Sequence, residues 1–115
     1  MLTAESSFGD RVRALDRLFS YPSLPAACLR VAGHLALANT EDGWIQTSRE
    51  RLSSKLNMRP MTTSKAFRSL FISGILGRRR WQDKSTVFEY RLSRFVNEEQ
   101  AELCAKVYAD LMHPN

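Results

Sequence analysis

The stretch Thr47–Leu76, TSRERLSSKLNMRPMTTSKAFRSLFISGIL, contains two helical segments separated by a short turn. Thr47 and Glu50 have the spacing of a capping box, in which the threonine oxygen accepts an amide hydrogen bond and the glutamate reaches back. This spacing predicts a helix that begins at about Ser48. The helix is predicted to end at the segment NMRP, where Asn57 suits a left-handed backbone conformation.

A second helix is predicted over Met61–Ser73, and Gly74 after it suits a left-handed helix end. One side of this helix gathers small or apolar residues, and the opposite side carries basic residues together with one isoleucine. The first group is Thr63, Phe67, Leu70 and Phe71, the second is Lys65, Arg68 and Ile72, and Thr62 and Ser69 lie at the flank. The first side is predicted to pack on the core and the second to face outward.

Two further helices are predicted on the N-terminal side. Residues 8–20 repeat apolar side chains every three or four positions, which is typical of one buried helical face. Pro22 interrupts that pattern. The next helix is predicted from about Leu24 through AACLRVAGHLALAN, with Pro25 in its first turn, where the missing N–H costs little. The tetrapeptide GWIQ that follows is a candidate for a short strand.

On the C-terminal side, the stretch GILGRRRWQDKSTVFEYRLS predicts a two-stranded hairpin around the turn QDKS. Asn97 and Gln100 then have capping-box spacing and predict a last helix over residues 97–112. A chain of 115 residues is long enough for one modest core. The predicted fold is α+β and mostly helical, a single domain over residues 1–115 in which residues 24–92 form the central part between two added helices.

Composition limits the classes of protein that fit. Hydrophobic residues make up 43% of the chain and charged residues 25%, as in ordinary globular domains. The formal net charge is +5 and the pI about 9.7, so the molecule attracts polyanions. Cys28 and Cys104 stand far apart in the sequence and are expected to pack as small apolar residues in a reducing compartment. No window predicts a signal peptide or a membrane span, and we expect a soluble, cytoplasmic, nucleoid-associated protein.

The order of helix, helix, strand, helix, turn, helix and basic hairpin resembles the winged helix-turn-helix DNA-binding domain. The residue match covers Trp44 to about Leu92 and is best in TTSKAFRSLFISGIL. Small or apolar residues occupy the positions typical of that family's recognition helix and its exit, namely Thr63, Ala66, Phe67, Leu70, Gly74 and Ile75. The resemblance implies that helix 61–73 reads the major groove of double-stranded DNA and that residues 76–92 form a basic wing.

The residues themselves favour the same ligand. No acidic residue occurs between Asn57 and Trp81, whereas exposed helical surfaces usually mix charges to gain paired contacts. A helix whose outward side chains donate hydrogen bonds fits the major groove, which is about 12 Å wide. The candidate DNA-binding residues on and beside the two helices are Ser48, Arg49, Arg59, Thr62, Ser64, Lys65, Arg68 and Ser69, and specificity is expected mainly from Thr62, Lys65 and Arg68. The alternative is that these residues only form a solvated helix face.

The arginines of the hairpin are predicted to have different roles. Alternation along a strand places at least one of Arg78, Arg79 and Arg80 on each face. With QDKS as the turn, Arg78 lies opposite Glu89 and is expected to form a cross-strand ion pair. Arg79, Arg80 and Lys84 are the DNA-binding candidates, and the last two, nearest the tip, are expected to contact the DNA backbone or the minor groove.

Phe71 and Ile72 occupy positions where recognition helices of this family commonly carry charged residues. We expect another element to cover them, and the first and last helices are the candidates. Those two helices are also predicted to form a homodimer, because twofold symmetry doubles the contacts with a palindromic site. The alternative is that both helices only complete the core of a monomer.

The predicted function is that of a transcriptional regulator, a repressor that occupies its operator. The alternatives are a plasmid or phage replication initiation or partition protein, and a protein-interaction adaptor that does not bind DNA. An enzyme is not expected, because His34 and His113 have no carboxylate or cysteine at catalytic or metal-ligand spacing. The sequence also lacks a glycine-rich phosphate loop. We therefore expect neither a cofactor nor a metal.

Overall fold

A computed structural model describes residues 8–37, 42–80, 82, 87–93 and 95–113. In these ranges the chain forms helices packed beside one small sheet. In chain order the elements are α1 (Phe8–Phe19), α2 (Ala26–Ala36), β1 (Ile45–Gln46), α3 (Arg49–Leu56), α4 (Pro60–Ile72), β2 (Leu76–Arg80), β3 (Phe88–Leu92) and α5 (Glu98–Met112). The predicted α+β, mostly helical class is confirmed, and each predicted helix and strand is present.

The boundaries of α3 and α4 follow from local backbone chemistry. Ser48 is the N-cap of α3, because its Oγ accepts a hydrogen bond from the Arg51 amide over 3.2 Å. The prediction that Thr47 caps this helix is therefore wrong by one residue. Asn57 ends α3 in the left-handed region, with a φ of 53°, as predicted. Pro60 begins α4 at a position where no N–H donor is needed.

Helix α4 ends in a tight turn that leads into β2. Gly74 has a φ of +83°, a conformation that glycine adopts without steric cost. The amide of Ile75 then donates to the carbonyl oxygen of Leu70 over 3.0 Å. The predicted left-handed residue at this position is confirmed. At the start of α5, Asn97 and Gln100 form both hydrogen bonds of a capping box, also as predicted.

The sheet is antiparallel and has the strand order β1-β3-β2. Within the β2–β3 hairpin, Arg79 lies opposite Glu89. The predicted pairing of Arg78 with Glu89 is therefore wrong by one residue. A four-residue turn at QDKS would pair Arg80 with Val87, whereas Arg80 pairs with Phe88. In a sheet, such a shift changes which side chains share a face across the strands.

The two faces of the hairpin have different surroundings, and we term them inner and outer. The inner face packs towards α4, where the rings of Phe67 and Tyr90 are in contact. It carries Leu76, Arg78, Arg80, Phe88, Tyr90 and Leu92. The outer face, beside Trp44, carries Gly77, Arg79, Glu89 and Arg91. The predicted division of the three arginines between two faces is confirmed, and the inner face receives two of them.

The core is one cluster to which all the helices and the hairpin contribute. Helix α2 lies at its centre, with Cys28, Val31, Ala32, Leu35 and Ala36 buried. The terminal helices also belong to it: α1 contributes Leu15 and Leu18, and α5 contributes Ala101 and Cys104. Burying one large aliphatic side chain contributes about 1.5–3 kcal/mol. The terminal helices therefore help to stabilise the monomer.

The two cysteines meet in this core. Cys28 and Cys104 are fully buried, and their Sγ atoms lie 3.7 Å apart. Hydrogen bonding to Cys104, together with burial, raises the pKa of the Cys28 thiol. A thiol held in its protonated form is a poor nucleophile. The predicted role of both cysteines as buried core residues is confirmed.

Helix α1 is held in place by a buried arginine. The Nε of Arg11 donates to the carbonyl oxygen of Ala36 over 3.2 Å, and the side chain is 1% exposed. Burial lowers the pKa of Arg11, while the charge of Asp42 opposes that effect. Gly43 lies against the same guanidinium, where an added Cβ would come within 2.7 Å of an arginine nitrogen.

No helix in the described ranges combines the length and apolar character needed to cross a bilayer.

Candidate functional site

An open cleft lies between α4 and the inner face of the hairpin, next to the start of α3. Its volume is about 420 Å³. We term it the basic cleft, and its lining residues are Arg49, Ser64, Phe67, Arg68, Phe71, Ile72, Arg78 and Tyr90. Arginines are among the lining residues and acidic side chains are not. The cleft therefore attracts anions.

The rim of the cleft joins α3 to α4. Arg49, in the first turn of α3, donates from Nη1 to the Oγ of Ser64 on α4 over 2.9 Å. Both residues are predicted DNA-binding residues, and the fold brings them into contact. The hydrogen bond orients Arg49 across the cleft and leaves its guanidinium exposed. Arg68, one helical turn after Ser64, is exposed on the same rim.

The floor of the cleft is aromatic. Phe67 and Tyr90 meet edge to face, with their ring centres 4.7 Å apart and their planes at 65°. Such aromatic pairs stabilise a contact by about 0.5–1.5 kcal/mol beyond the burial of area. Because one ring belongs to α4 and the other to β3, this pair fixes the position of the hairpin against the helix.

Arg78 reaches from the inner face of the hairpin to the edge of this floor. Its Cζ lies 4.6 Å from the ring centre of Phe71 and 4.7 Å from that of Phe88. Contacts of this type contribute about 0.5–1 kcal/mol each at exposed sites. Among the described residues Arg78 forms no ion pair. Arg78, for which the sequence predicted an ion pair with Glu89, therefore lines the cleft. No carboxylate of the described residues neutralises its charge.

Arg79 forms the cross-strand ion pair with Glu89 that was predicted for Arg78. Its Nε lies 2.9 Å from Oε1 of Glu89, and an Nη atom lies 3.5 Å from a carboxylate oxygen of Asp42. Its Cζ also lies 4.2 Å from the ring centre of Trp44. The charge of Arg79 is thus shared between two carboxylates on the outer face, away from the basic cleft. Arg79 is a predicted DNA-binding residue, but the structure places it on a surface separate from the others.

The remaining predicted residues lie in several environments. Thr62 and Lys65 are half-buried on α4, Arg59 is the exposed N-cap of that helix, and Arg80 is exposed at the end of β2. Ser48 is half-buried as the N-cap of α3. Ser69 is fully buried and donates to the carbonyl oxygen of Lys65 over 2.7 Å, so it does not lie on the surface where it was predicted. Lys84 lies outside the described residues.

Phe71 and Ile72 remain open to solvent. Their exposed fractions are 42% and 47%. The expectation that the first or last helix covers them is wrong within a single chain. Phe71 instead supports Arg78, which explains an aromatic residue at this position of α4.

Sequence reasoning missed the aromatic side of the site. Phe88, Tyr90 and Arg78 alternate with outer-face residues, so they belong to one face once the strand register is known. The signal was present in the alternation of FEYRL, but the register that assigns a face depends on the length of the connection.

The described residues contain no cluster of three or more histidine, cysteine or acidic side chains that could hold a metal ion. His34 is half-buried on α2, and burial lowers its pKa, with a smaller contribution from the nearby charge of Lys55. It therefore stays neutral at neutral pH.

No family model, no curated protein sequence and no solved structure matches the chain.

Proposed function

We propose that the chain is a DNA-binding protein of the winged helix-turn-helix type, acting as a transcriptional regulator that represses by occupying its operator. The observation that carries the proposal is the surface formed jointly by the start of α3, by α4 and by the inner face of the hairpin. The segment from Asn57 to Arg80 contains no acidic residue. A surface that is basic over several elements attracts phosphate, and Glu50 in the first turn of α3 is the one acidic side chain among the described residues of α3 and α4.

The exposed side of α4 supports a role in reading bases. Thr62, Lys65 and Arg68 lie on this side, at least partly accessible. The major groove is about 12 Å wide and admits a helix whose side chains donate to base edges. In the proposal these three residues contact bases, as the sequence predicted.

The elements beside α4 support contacts to the DNA backbone. Arg78 and Arg80 share the inner face of the hairpin, and Arg49 lies at the start of α3. The N-terminus of α3 adds free amide donors and the positive end of the helix dipole. The hydroxyl of Ser48 accepts from the backbone and retains a proton to donate to phosphate. In the proposal these groups fix the register of α4 on the duplex.

The proposal includes a homodimer through α1 and α5. Both helices bury part of their apolar residues in the monomer and leave others exposed. The exposed apolar side chains are Phe8, Val12 and Phe19 on α1 and Leu103 on α5. A symmetric pair would present two copies of α4 to successive half-sites, about 34 Å apart on B-DNA. Sedimentation of the protein alone and with DNA measures this stoichiometry.

Fluorescence anisotropy with a labelled duplex of about 20 base pairs tests DNA binding. The logarithm of the affinity should fall linearly with the logarithm of the salt concentration. The double variant Lys65→Gln/Arg68→Gln is expected to weaken binding by about tenfold or more, because a hydrogen bond to a charged group contributes roughly 1.5 kcal/mol. The matched control is Arg30→Gln/Lys55→Gln, which removes two charges from exposed residues that do not line the basic cleft.

An affinity that does not depend on salt, or that is the same in the double variant and in the control, would refute the proposal. Sequence specificity is measured separately, by selecting bound duplexes from a random library. Recovery of one palindromic site supports a repressor, and recovery of repeated direct sites supports a replication initiator instead. Recovery of no DNA at all supports an adaptor.

A further inference from the structure

We propose that the basic cleft binds an unpaired base together with its phosphate, so that the protein prefers duplexes that contain unpaired nucleotides. This inference rests on the proposed DNA binding and adds the form of DNA that the cleft accepts. It concerns the C-terminal half of α4 and the inner face of the hairpin. The N-terminal half of α4 keeps its role in the major groove.

The end of α4 exposes an apolar surface. Phe71 and Ile72 are 42% and 47% exposed, and they line the cleft beside Arg78. In the major groove of a paired duplex, the thymine methyl group is the main apolar feature that such side chains can contact. An unpaired base offers its whole face. An apolar surface of this extent therefore fits an unpaired base better than a paired one.

The size and the lining of the cleft fit a base together with its phosphate. A volume of about 420 Å³ lies within the range of pockets that hold small ligands, roughly 300–1,000 Å³. Its floor is aromatic, and its rim carries Arg49, Arg68 and Arg78. Proteins that bind single strands combine these same features, with aromatic side chains for the bases and cations for the phosphates. A carboxylate ligand would satisfy the rim alone and would not use the aromatic floor.

Arg78 contacts two aromatic rings at one edge of the cleft. Its guanidinium lies over the rings of Phe71 and Phe88, at 4.6 and 4.7 Å. Arginine planes and aromatic rings are the two surfaces on which proteins stack unpaired bases. The hydrogen bond from Arg49 to Ser64 holds a second guanidinium on the opposite rim. The Phe71–Arg78 pair thus forms the proposed stacking platform, and a second cation lies on the opposite rim.

The experiment compares two labelled DNAs that share one top strand of about 20 nucleotides. One is fully paired, and the other carries a central bulge of unpaired thymidines. Wild-type protein is expected to bind the bulged duplex about tenfold more tightly, at the lower end of what stacking of one base contributes. Replacement of a bulge thymidine by 2-aminopurine reports stacking directly, because its fluorescence is quenched when the base stacks.

Phe71→Ala is the test variant, and Leu37→Ala, an exposed apolar residue at the C-cap of α2, is its control. Phe71→Ala should bind paired and bulged duplexes equally and should leave 2-aminopurine unquenched. Circular dichroism confirms that each variant folds.

Equal binding of both duplexes by wild-type protein would overturn the inference and leave the proposed DNA binding standing. A preference that survives Phe71→Ala would also overturn it, because the platform would not be the cause. Failure to bind either duplex would overturn the proposed function and the inference together. Tighter binding of an aspartate-rich peptide than of either DNA would assign the cleft to a protein partner instead.

Discussion

The two neighbouring arginines Arg78 and Arg79 should respond differently to substitution. Arg78→Gln removes a charge that faces the basic cleft. Arg79→Gln/Glu89→Gln removes the cross-strand ion pair of 2.9 Å from the outer face without changing the net charge. The first change is expected to weaken DNA binding, and the second is expected to affect stability alone.

The magnitudes follow from the surroundings of each residue. Loss of one phosphate contact reduces the magnitude of the slope of log affinity against log salt concentration by about 0.9. When the salt concentration rises fourfold, the factor by which affinity falls should therefore be about 3.5 times smaller for Arg78→Gln than for wild type. The Arg79 side chain is 48% exposed and that of Glu89 15%. An ion pair with one exposed partner contributes no more than about 1 kcal/mol after solvent screening. The double variant should therefore lose up to that amount of unfolding free energy.

Anisotropy titrations at several salt concentrations measure the slope, and urea denaturation measures the free energy of unfolding. Arg78→Lys separates charge from stacking, because lysine keeps the charge but not the planar group. It should retain the wild-type slope. A reduced slope in Arg79→Gln/Glu89→Gln together with a wild-type slope in Arg78→Gln would refute the assignment of the two faces.

Three further predictions concern the fold that supports the site, each measured by urea denaturation. Ser48→Ala should lower the free energy of unfolding by about 1 kcal/mol through loss of the N-cap, whereas Thr47→Ala should change it by less than about 0.5 kcal/mol. Leu70→Ala, at a fully buried side chain, should cost about 2–5 kcal/mol. Gly74→Ala should cost about 1 kcal/mol or more, because φ is +83° and the new Cβ would lie 3.2 Å from Nε2 of Gln100.

Each of these has a clear contrary result. Equal losses in Ser48→Ala and Thr47→Ala would mean that the cap is shared. A loss in Leu70→Ala as small as that of the exposed Leu103→Ala would place Leu70 outside the core. A stabilised Gly74→Ala would contradict the left-handed conformation at the end of α4.

The helical part of the fold could be predicted because its signals are local. Asn57 and Gly74 mark left-handed positions, and Asn97 with Gln100 marks a capping box, each within a few residues of chain. The N-cap of α3 was missed because two adjacent residues, Thr47 and Ser48, both carry a hydroxyl. The spacing to Glu50 favoured the first, and the hydrogen bond to Arg51 is made by the second.

The site was harder to predict because it depends on contacts between distant segments. A turn at QDKS would pair Arg78 with Glu89, but the strands pair one residue away from that register, so the roles of Arg78 and Arg79 are exchanged. Ser69 looks like a surface residue because it is polar, yet its hydroxyl bonds to the helix backbone and the side chain packs inside. The proximity of Cys28 and Cys104, separated by most of the chain, likewise follows only from the packing of α2 on α5.

On the outer face of the hairpin Arg79 is paired with carboxylates, whereas the described inner-face arginines form no ion pair. This difference predicts which positions change together as the sequence evolves. Substitution of Arg79 alone would leave Glu89 without its cross-strand partner, so we expect positions 79 and 89 to change together in related sequences. At positions 78 and 80 no carboxylate of the described residues forms an ion pair with the arginine, and retention of arginine there would indicate selection for ligand binding. An alignment of related sequences would thus distinguish a constraint from folding at Arg79 from a constraint from ligand binding at Arg78, although the two residues are adjacent and chemically identical.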